Sequence, residues 1–285
     1  MRILILTNRS PNQVALCNRL ASVTDVAAIV VSQNISRKNK SVRNRLCGLV
    51  NRAAGATVGR ELRDAWQKMQ ALYHQEYQEM PNVPTVAVPN VNDRPVFAAI
   101  DQYRPDIVMV SGTNILSSKL IQHFQSGRGI LNLHTGISPY VRGGPNCTNW
   151  CLAQGWFHLI GSTVMLIDPG IDTGKIITTE RAPINGNESL ASLHKAVMDH
   201  AHSLCARVVL LLSRGQEIPA VPQHQLGKGT TFYTKDWTAA EMRKALLNFR
   251  SFYSPTSIAS SDFILQAEGR RLISLDDVRI SGPAL

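Results

Sequence analysis

Gly129-Ile130-Leu131-Asn132-Leu133-His134 reads as a short buried strand that carries two polar groups, and the fold follows from that reading. Side chains alternate faces along a strand, so Asn132 and His134 emerge on the same side, near its C-terminal end. In open α/β sheets that end is where ligands bind. An amide donor beside a titratable imidazole suits the stabilisation of an oxyanion as a carbonyl carbon is attacked. His134 can then hold or move the proton that the reaction releases.

Apolar strands alternate with helical stretches on both sides of this segment. Strands are expected at 2–6, 26–31, 85–88, 107–110, 130–134 and 162–167, with a helix near 12–22 and helix-rich sequence after the second strand. That alternation predicts an α/β fold over residues 1–182, a mostly parallel, twisted sheet with helices on both faces. Past Pro183 the pattern changes to a long amphipathic helix over 188–214, with Leu190, Leu193, Val197 and Leu204 among its apolar positions. A turn and strand over 227–233 and a capping box, Thr238 to Glu241, that opens a further helix complete a small C-terminal α+β region, 183–285. His194, His200 and His202 fall on the long helix, where His200 and His202 do not face each other, and no metal site is expected.

The loops after the central strand are irregular. Pro139, Arg142, Gly143, Gly144 and Pro145 make a stiff, turn-rich loop that continues neither a helix nor a central strand. The later strand runs into Asp168-Pro169-Gly170-Ile171-Asp172-Thr173-Gly174, where two glycines and a proline hold two carboxylates between them. A carboxylate beside an imidazole favours its charged form and fixes its orientation, which makes Asp172 the candidate partner of His134.

Taken in order, Asn132, His134, Pro139, Arg142, Gly143, Asp168, Gly170, Asp172, Thr173 and Gly174 match a family pattern. At these positions the chain resembles the folate-dependent formyltransferases: glycinamide ribonucleotide transformylase, methionyl-tRNA formyltransferase and the sugar N-formyltransferases. The resemblance implies a Rossmann-like formyltransferase fold and direct transfer of a formyl group from N10-formyltetrahydrofolate to an amine, with no covalent intermediate and no metal. It implies that Asn132 hydrogen-bonds the formyl oxygen, that His134 as imidazolium stabilises the tetrahedral oxyanion, and that Asp172 holds His134 and helps relay the amine proton. It also implies that Asn114, Ile115 and Leu116, facing Asp168 and Gly170, wall a pocket for the pteridine, and that Asn8, Arg9, Thr135, Arg142 and Gly143 meet the acceptor. Ordinary core after a strand is an equal reading of Ile115 and Leu116, as a simple N-cap turn is of the loop over 7–12. One departure stands inside the motif. Thr135-Gly136-Ile137-Ser138 replaces the usual Ser-Leu-Leu, which points to a smaller, more flexible loop and an altered acceptor pocket.

The first-choice acceptor is a small amine, a nucleotide-linked amino sugar. The N-hydroxyornithine of siderophore synthesis and methionyl-tRNA are the alternatives within the class. Outside it stand a formyltetrahydrofolate hydrolase, which usually carries a leading regulatory domain where this chain begins with its strand, and a non-catalytic folate- or RNA-binding protein. The family resemblance also implies a homodimer.

Size and composition suit an enzyme: the chain has 285 residues, and no run of eighteen apolar residues predicts a membrane span. MRILILTN is too short an apolar stretch for a secretory signal, and five cysteines without Cys-x-x-Cys spacing indicate neither disulfides nor zinc, so a reducing cytoplasm is expected. Of the net charge of +10, seven charges lie between residues 36 and 63, where Arg37, Lys38, Lys40, Arg43, Arg45, Arg52, Arg60 and Arg63 face the single acid Glu61. Such a segment either binds RNA, an acidic membrane or an anionic substrate, or is a solvated face; a nucleic-acid partner is the less favoured reading. Trp66, Tyr73 and Tyr77, at near-helical spacing, are expected to pack this stretch onto the sheet.

Overall fold

The computed structural model describes residues 1–35, 57–124 and 127–277. Cys47 and the basic segment, apart from Arg60 and Arg63, lie outside the described residues. Strands and helices alternate along the first half: β1 (Arg2–Thr7), α1 (Pro11–Ala21), β2 (Asp25–Ser32), α2 (Arg60–Glu76), β3 (Thr85–Val88), α3 (Arg94–Tyr103), β4 (Ile107–Val110), α4 (Ser118–His123) and β5 (Ile130–His134). Then come β6 (Val141–Gly143), α5 (Cys147–Gln154), β7 (Gly161–Leu166), β8 (Ile176–Arg181), α6 (Leu190–Ser213), β9 (Thr230–Phe232) and α7 (Ala239–Phe252).

The main sheet has the order β3-β2-β1-β4-β5-β7-β8. It is parallel from β3 to β5, and β7 and β8 add antiparallel strands at one edge. Parallel neighbours need long crossovers, which the helices supply. The alternation in the sequence therefore yields the mostly parallel sheet, while β8 went unread. Its last four residues, Thr178-Thr179-Glu180-Arg181, are polar, and the strand follows the Asp168–Gly174 loop with no apolar run to announce it.

Strands covered on both faces are apolar throughout, yet they still alternate. Ile3, Ile5, Ile29, Met109, Leu131 and Leu133 point to one face, where Leu16 and Leu20 of α1 and Ala201, Leu204, Cys205 and Val208 of α6 cover them. Leu4, Leu6, Val30, Val108, Val110 and Ile130 point to the other, under Val96 and Ile100 of α3 and Leu120 of α4. Asn132 and His134 share the face of Ile130 by the same period of two.

Helix α6 begins at Ser189, whose hydroxyl accepts the Ser192 N–H at 3.2 Å. By length and composition it is long and apolar enough to cross a membrane, but half of it is buried in this packing, as in a core helix. The division drawn after residue 182 falls ahead of a helix that lies on the sheet. Helix α2 packs on α1 and α6 rather than directly on the sheet: Met69 and Tyr73 meet Ala15 and Met198, with Trp66 and Tyr77 alongside. The Tyr73 hydroxyl donates to Asp199 at 2.6 Å. At α7 only half of the expected capping box forms. Thr238 accepts the Glu241 N–H, while the Glu241 carboxylate turns to Gln154 (3.1 Å) and Lys244 (2.8 Å).

His194 and His202 of α6 are buried, each with a ring nitrogen that has no hydrogen-bond partner. Burial holds both rings neutral, lowering His194 from 6.5 to about 4 and His202 to about 3. The unfolded chain binds these protons near pH 6.5 and the folded chain does not, so stability is full above that pH and lost below it, by up to about 1.4 kcal/mol per pH unit for each ring. Thermal melts between pH 7.5 and 5 should therefore fall more steeply for the wild type than for a His194→Leu/His202→Leu double variant; parallel curves would contradict this.

Candidate active site

Strand register builds the floor of the site. Asn132 in β5 lies between Val110 of β4 and Met165 of β7, and this row underlies a cavity of about 170 Å³. One wall is the loop from Gly112 to Leu116 after β4, and the other runs from Ile167 to Gly174 after β7.

Asp172 ties the floor to the second wall. It is a left-handed residue (φ 50°), a conformation that asparagine and aspartate tolerate best after glycine. One carboxylate oxygen accepts the Asn132 side-chain N–H at 3.1 Å. The other accepts the Gly143 backbone N–H at 3.0 Å and lies 3.5 Å from His134 Nδ1. The Asp172 carbonyl in turn accepts from Gln223 Nε2 at 2.7 Å, and the same amide group reaches the Gly174 carbonyl at 2.8 Å. Nothing in the sequence singled out Gln223, a lone amide fifty residues beyond the loop it pins.

The remaining ring nitrogen of His134 also faces protein. Nε2 is 3.3 Å from the Val141 carbonyl and 3.4 Å from Cys147 Sγ, and the ring is buried behind Asn132 and Asp172 rather than lining the cavity. In this geometry both ring nitrogens face protein groups: Nδ1 the Asp172 carboxylate, Nε2 the Val141 carbonyl and Cys147. Burial works against the charged ring, but the Asp172 carboxylate, with Cys147 and the Val141 carbonyl beside Nε2, acts the other way and raises the His134 pKa above the ordinary imidazole value. Burial also raises the Cys147 thiol, so the anion beside the ring is the carboxylate and not a thiolate. Gly136 is what admits this arrangement. A Cβ there would stand 2.6 Å from His134 Nε2 and 2.7 Å from the Val141 carbonyl oxygen. The Gly136 carbonyl accepts the Thr163 hydroxyl at 2.7 Å, so the loop is packed and bonded and not the flexible one expected.

The other candidate residues divide between wall, brace and groove. Ile115 is 67% exposed at the cavity rim opposite Ile171, whereas Leu116 turns into the core. The Asn114 N–H donates to Asn34 at 3.1 Å. Asp168 braces its own loop, accepting the Gly170 N–H at 3.0 Å and the Thr173 hydroxyl at 2.5 Å. Peptide groups on two facing walls with uncovered isoleucines at the mouth fit a flat heterocycle that is polar at its edges and apolar on its faces. Asn8 donates to the Gly112 carbonyl at 2.6 Å and accepts the Ser10 N–H at 2.8 Å, so its amide is used within the chain. Arg9 is exposed, and neither it nor Thr135 lines this cavity, while Arg142 lines the groove beside it. Among the described residues no group of three or more His, Cys, Asp or Glu is placed to hold a metal ion.

A model of the formyl transferase family matches residues 1–209. A methionyl-tRNA formyltransferase of Alkaliphilus oremlandii is 25% identical over 252 residues, which cover 76% of this chain and 80% of that one. Another, of Syntrophus aciditrophicus, is 30% identical over 141 residues, and the match spans 50% of this chain and only 44% of the relative. Among solved structures, a sugar N-formyltransferase from Shewanella covers 87% of both chains with a TM-score of 0.52 at 16% identity. A phosphoribosylglycinamide formyltransferase from Anaplasma phagocytophilum covers 77% of this chain and 90% of its own, with a TM-score of 0.51 at 17% identity. At such identities the structures share the fold.

The His134 ring should titrate by NMR above the ordinary value of about 6.5. In Asp172→Asn the main opponent of burial is removed and the midpoint should drop; an unchanged midpoint would contradict the pairing.

Proposed function

This chain belongs to the formyl transferase family, and on that premise we propose that it moves a formyl group from N10-formyltetrahydrofolate to the amine of a small acceptor. The observation that carries the reading is the Asp172 carboxylate at the cavity wall, bonded to Asn132 and backed by the buried ring of His134. The pteridine lies between the Gly112–Leu116 and Ile167–Gly174 walls, and the formyl carbon is presented at Asn132. An amide nitrogen has two protons, so Asn132 keeps one bond to Asp172 and donates the other to the formyl oxygen. The acceptor amine forms the new C–N bond, the bond from the formyl carbon to N10 breaks, and N10 gains a proton. Asp172 takes the proton that the amine gives up, and His134 stabilises the developing oxyanion by its charge, across Asn132, rather than by direct contact.

A small acceptor is supported by the adjoining groove of about 590 Å³, within the range of small-molecule sites. A nucleotide-linked amino sugar remains the first choice. Methionyl-tRNA is the second reading, favoured by the names of the sequence relatives.

The test is formyl transfer across nucleotide-linked amino sugars, N-hydroxyornithine and charged initiator tRNA, following tetrahydrofolate release and acceptor mass. One acceptor should gain one formyl group, and Asn132→Ala should lower turnover by roughly a hundredfold or more, the usual effect of removing an oxyanion donor. Donor turnover without an acceptor would point to a hydrolase, and a near-normal rate in Asn132→Ala would remove the mechanism.

A further inference from the structure

The groove beside the cavity carries a charge pattern that the transfer chemistry leaves unused. Groove and cavity share the wall from Leu166 to Asp168 and from Thr173 to Gly174, and Asp172, next to Thr173 in that loop, lines the cavity side. Three basic side chains line the groove: Arg142, Lys175 and His224. Each is carried by a segment bound to the Asp172 site. Arg142 precedes Gly143, whose N–H holds the carboxylate; Lys175 follows Gly174; and His224 follows Gln223, whose amide holds the Asp172 and Gly174 carbonyls.

Among the described residues none of the three makes an ion pair. Arg142 Nε is moreover buried with no hydrogen-bond partner. A buried donor left unmade is costly, and a guanidinium N–H beside two further bases is suited to an anion. Asp168, the acid in the described lining, already accepts from Gly170 and Thr173. Conversely, the loop after β1, which carries the acceptor candidates Asn8 and Arg9, has its Asn8 amide engaged by Gly112 and Ser10.

We propose that the groove of Arg142, Lys175 and His224 binds the phosphate or pyrophosphate of the acceptor and so delivers its amine to Asp172. The proposal rests on the formyl-transfer reading and deepens it: the acceptor is a small phosphorylated amine. Arg142 supplies a planar fork, Lys175 a mobile point charge and His224 a third donor, a set that matches the several oxygens of a phosphoryl group better than a single carboxylate.

The test is calorimetric titration of the full chain with inorganic pyrophosphate, repeated on Lys175→Ala and Arg142→Gln, with tetrahydrofolate binding measured on the same samples. Lys175 is exposed, so its variant separates loss of the anion site from loss of the fold. One pyrophosphate site is expected, weakened at least about tenfold in each variant, as for loss of one charge-assisted contact, with tetrahydrofolate binding unchanged. Pyrophosphate that does not bind, or binds the variants as tightly as the wild type, overturns the proposal. Displacement of pyrophosphate by uncharged tRNA but not by a nucleoside diphosphate such as UDP also overturns it, since the anion would then belong to a nucleic acid. None of these readings requires turnover, so an intact pyrophosphate site in a chain that transfers no formyl group would count against the formyl-transfer reading alone.

Discussion

The Asp172 carboxylate gathers donors from separate parts of the chain, and the geometry of the site depends on it. Asn132 and His134 come from the central strand, and the Gly143 N–H from a loop beyond it. Hydrogen bonds to an ionised group are the strong ones, and here they lie among groups with little exposure, the side chains of His134 and Asp172 being 9% and 17% exposed. Without the carboxylate, the buried imidazole would lose its charge, the Asn132 amide its fixed orientation and the Gly143 loop its anchor.

That anchor is itself held by the far end of the chain. Strand β9 pairs in parallel with β6, so that Val141, Arg142 and Gly143 lie beside Thr230, Thr231 and Phe232. Gly143 has a positive φ (89°), and a Cβ there would stand 2.0 Å from the Phe232 carbonyl oxygen, so the close approach of the two strands requires glycine. Trp150 closes the contact, stacking on Phe232 with ring centroids 4.3 Å apart and donating its indole N–H to the Gly144 carbonyl at 3.1 Å. The C-terminal residues thereby act on the site through the loop that carries Arg142 and Gly143.

The fold was legible because parallel strands are apolar runs with helical stretches between them, and β1, β2, β3, β4 and β5 fall where those runs lie. The pairing of Asn132 with His134 on one face was legible from strand alternation alone, and Asp172 from its glycine-rich loop. Contacts between residues distant in sequence were not. Gln223 pins the Asp172 loop without any local signal, and the β6–β9 pair joins three-residue strands eighty-nine residues apart by register. The inward turn of His134 depends on Gly136, read from sequence as a source of flexibility, and on Cys147, one of five cysteines that form no motif. Both conclusions would have required knowing which neighbours fill the space that Gly136 leaves.

The most direct measurement of the role given to Asp172 is a single-turnover comparison of wild type and Asp172→Asn, with a saturating amine acceptor and with tetrahydrofolate affinity determined separately. The account predicts a chemical step slowed by roughly a hundredfold or more, the scale of a lost general base and its oriented oxyanion donor, while tetrahydrofolate affinity stays within about twofold because the cavity walls remain. An Asp172→Asn protein that transfers the formyl group at the wild-type rate would contradict it.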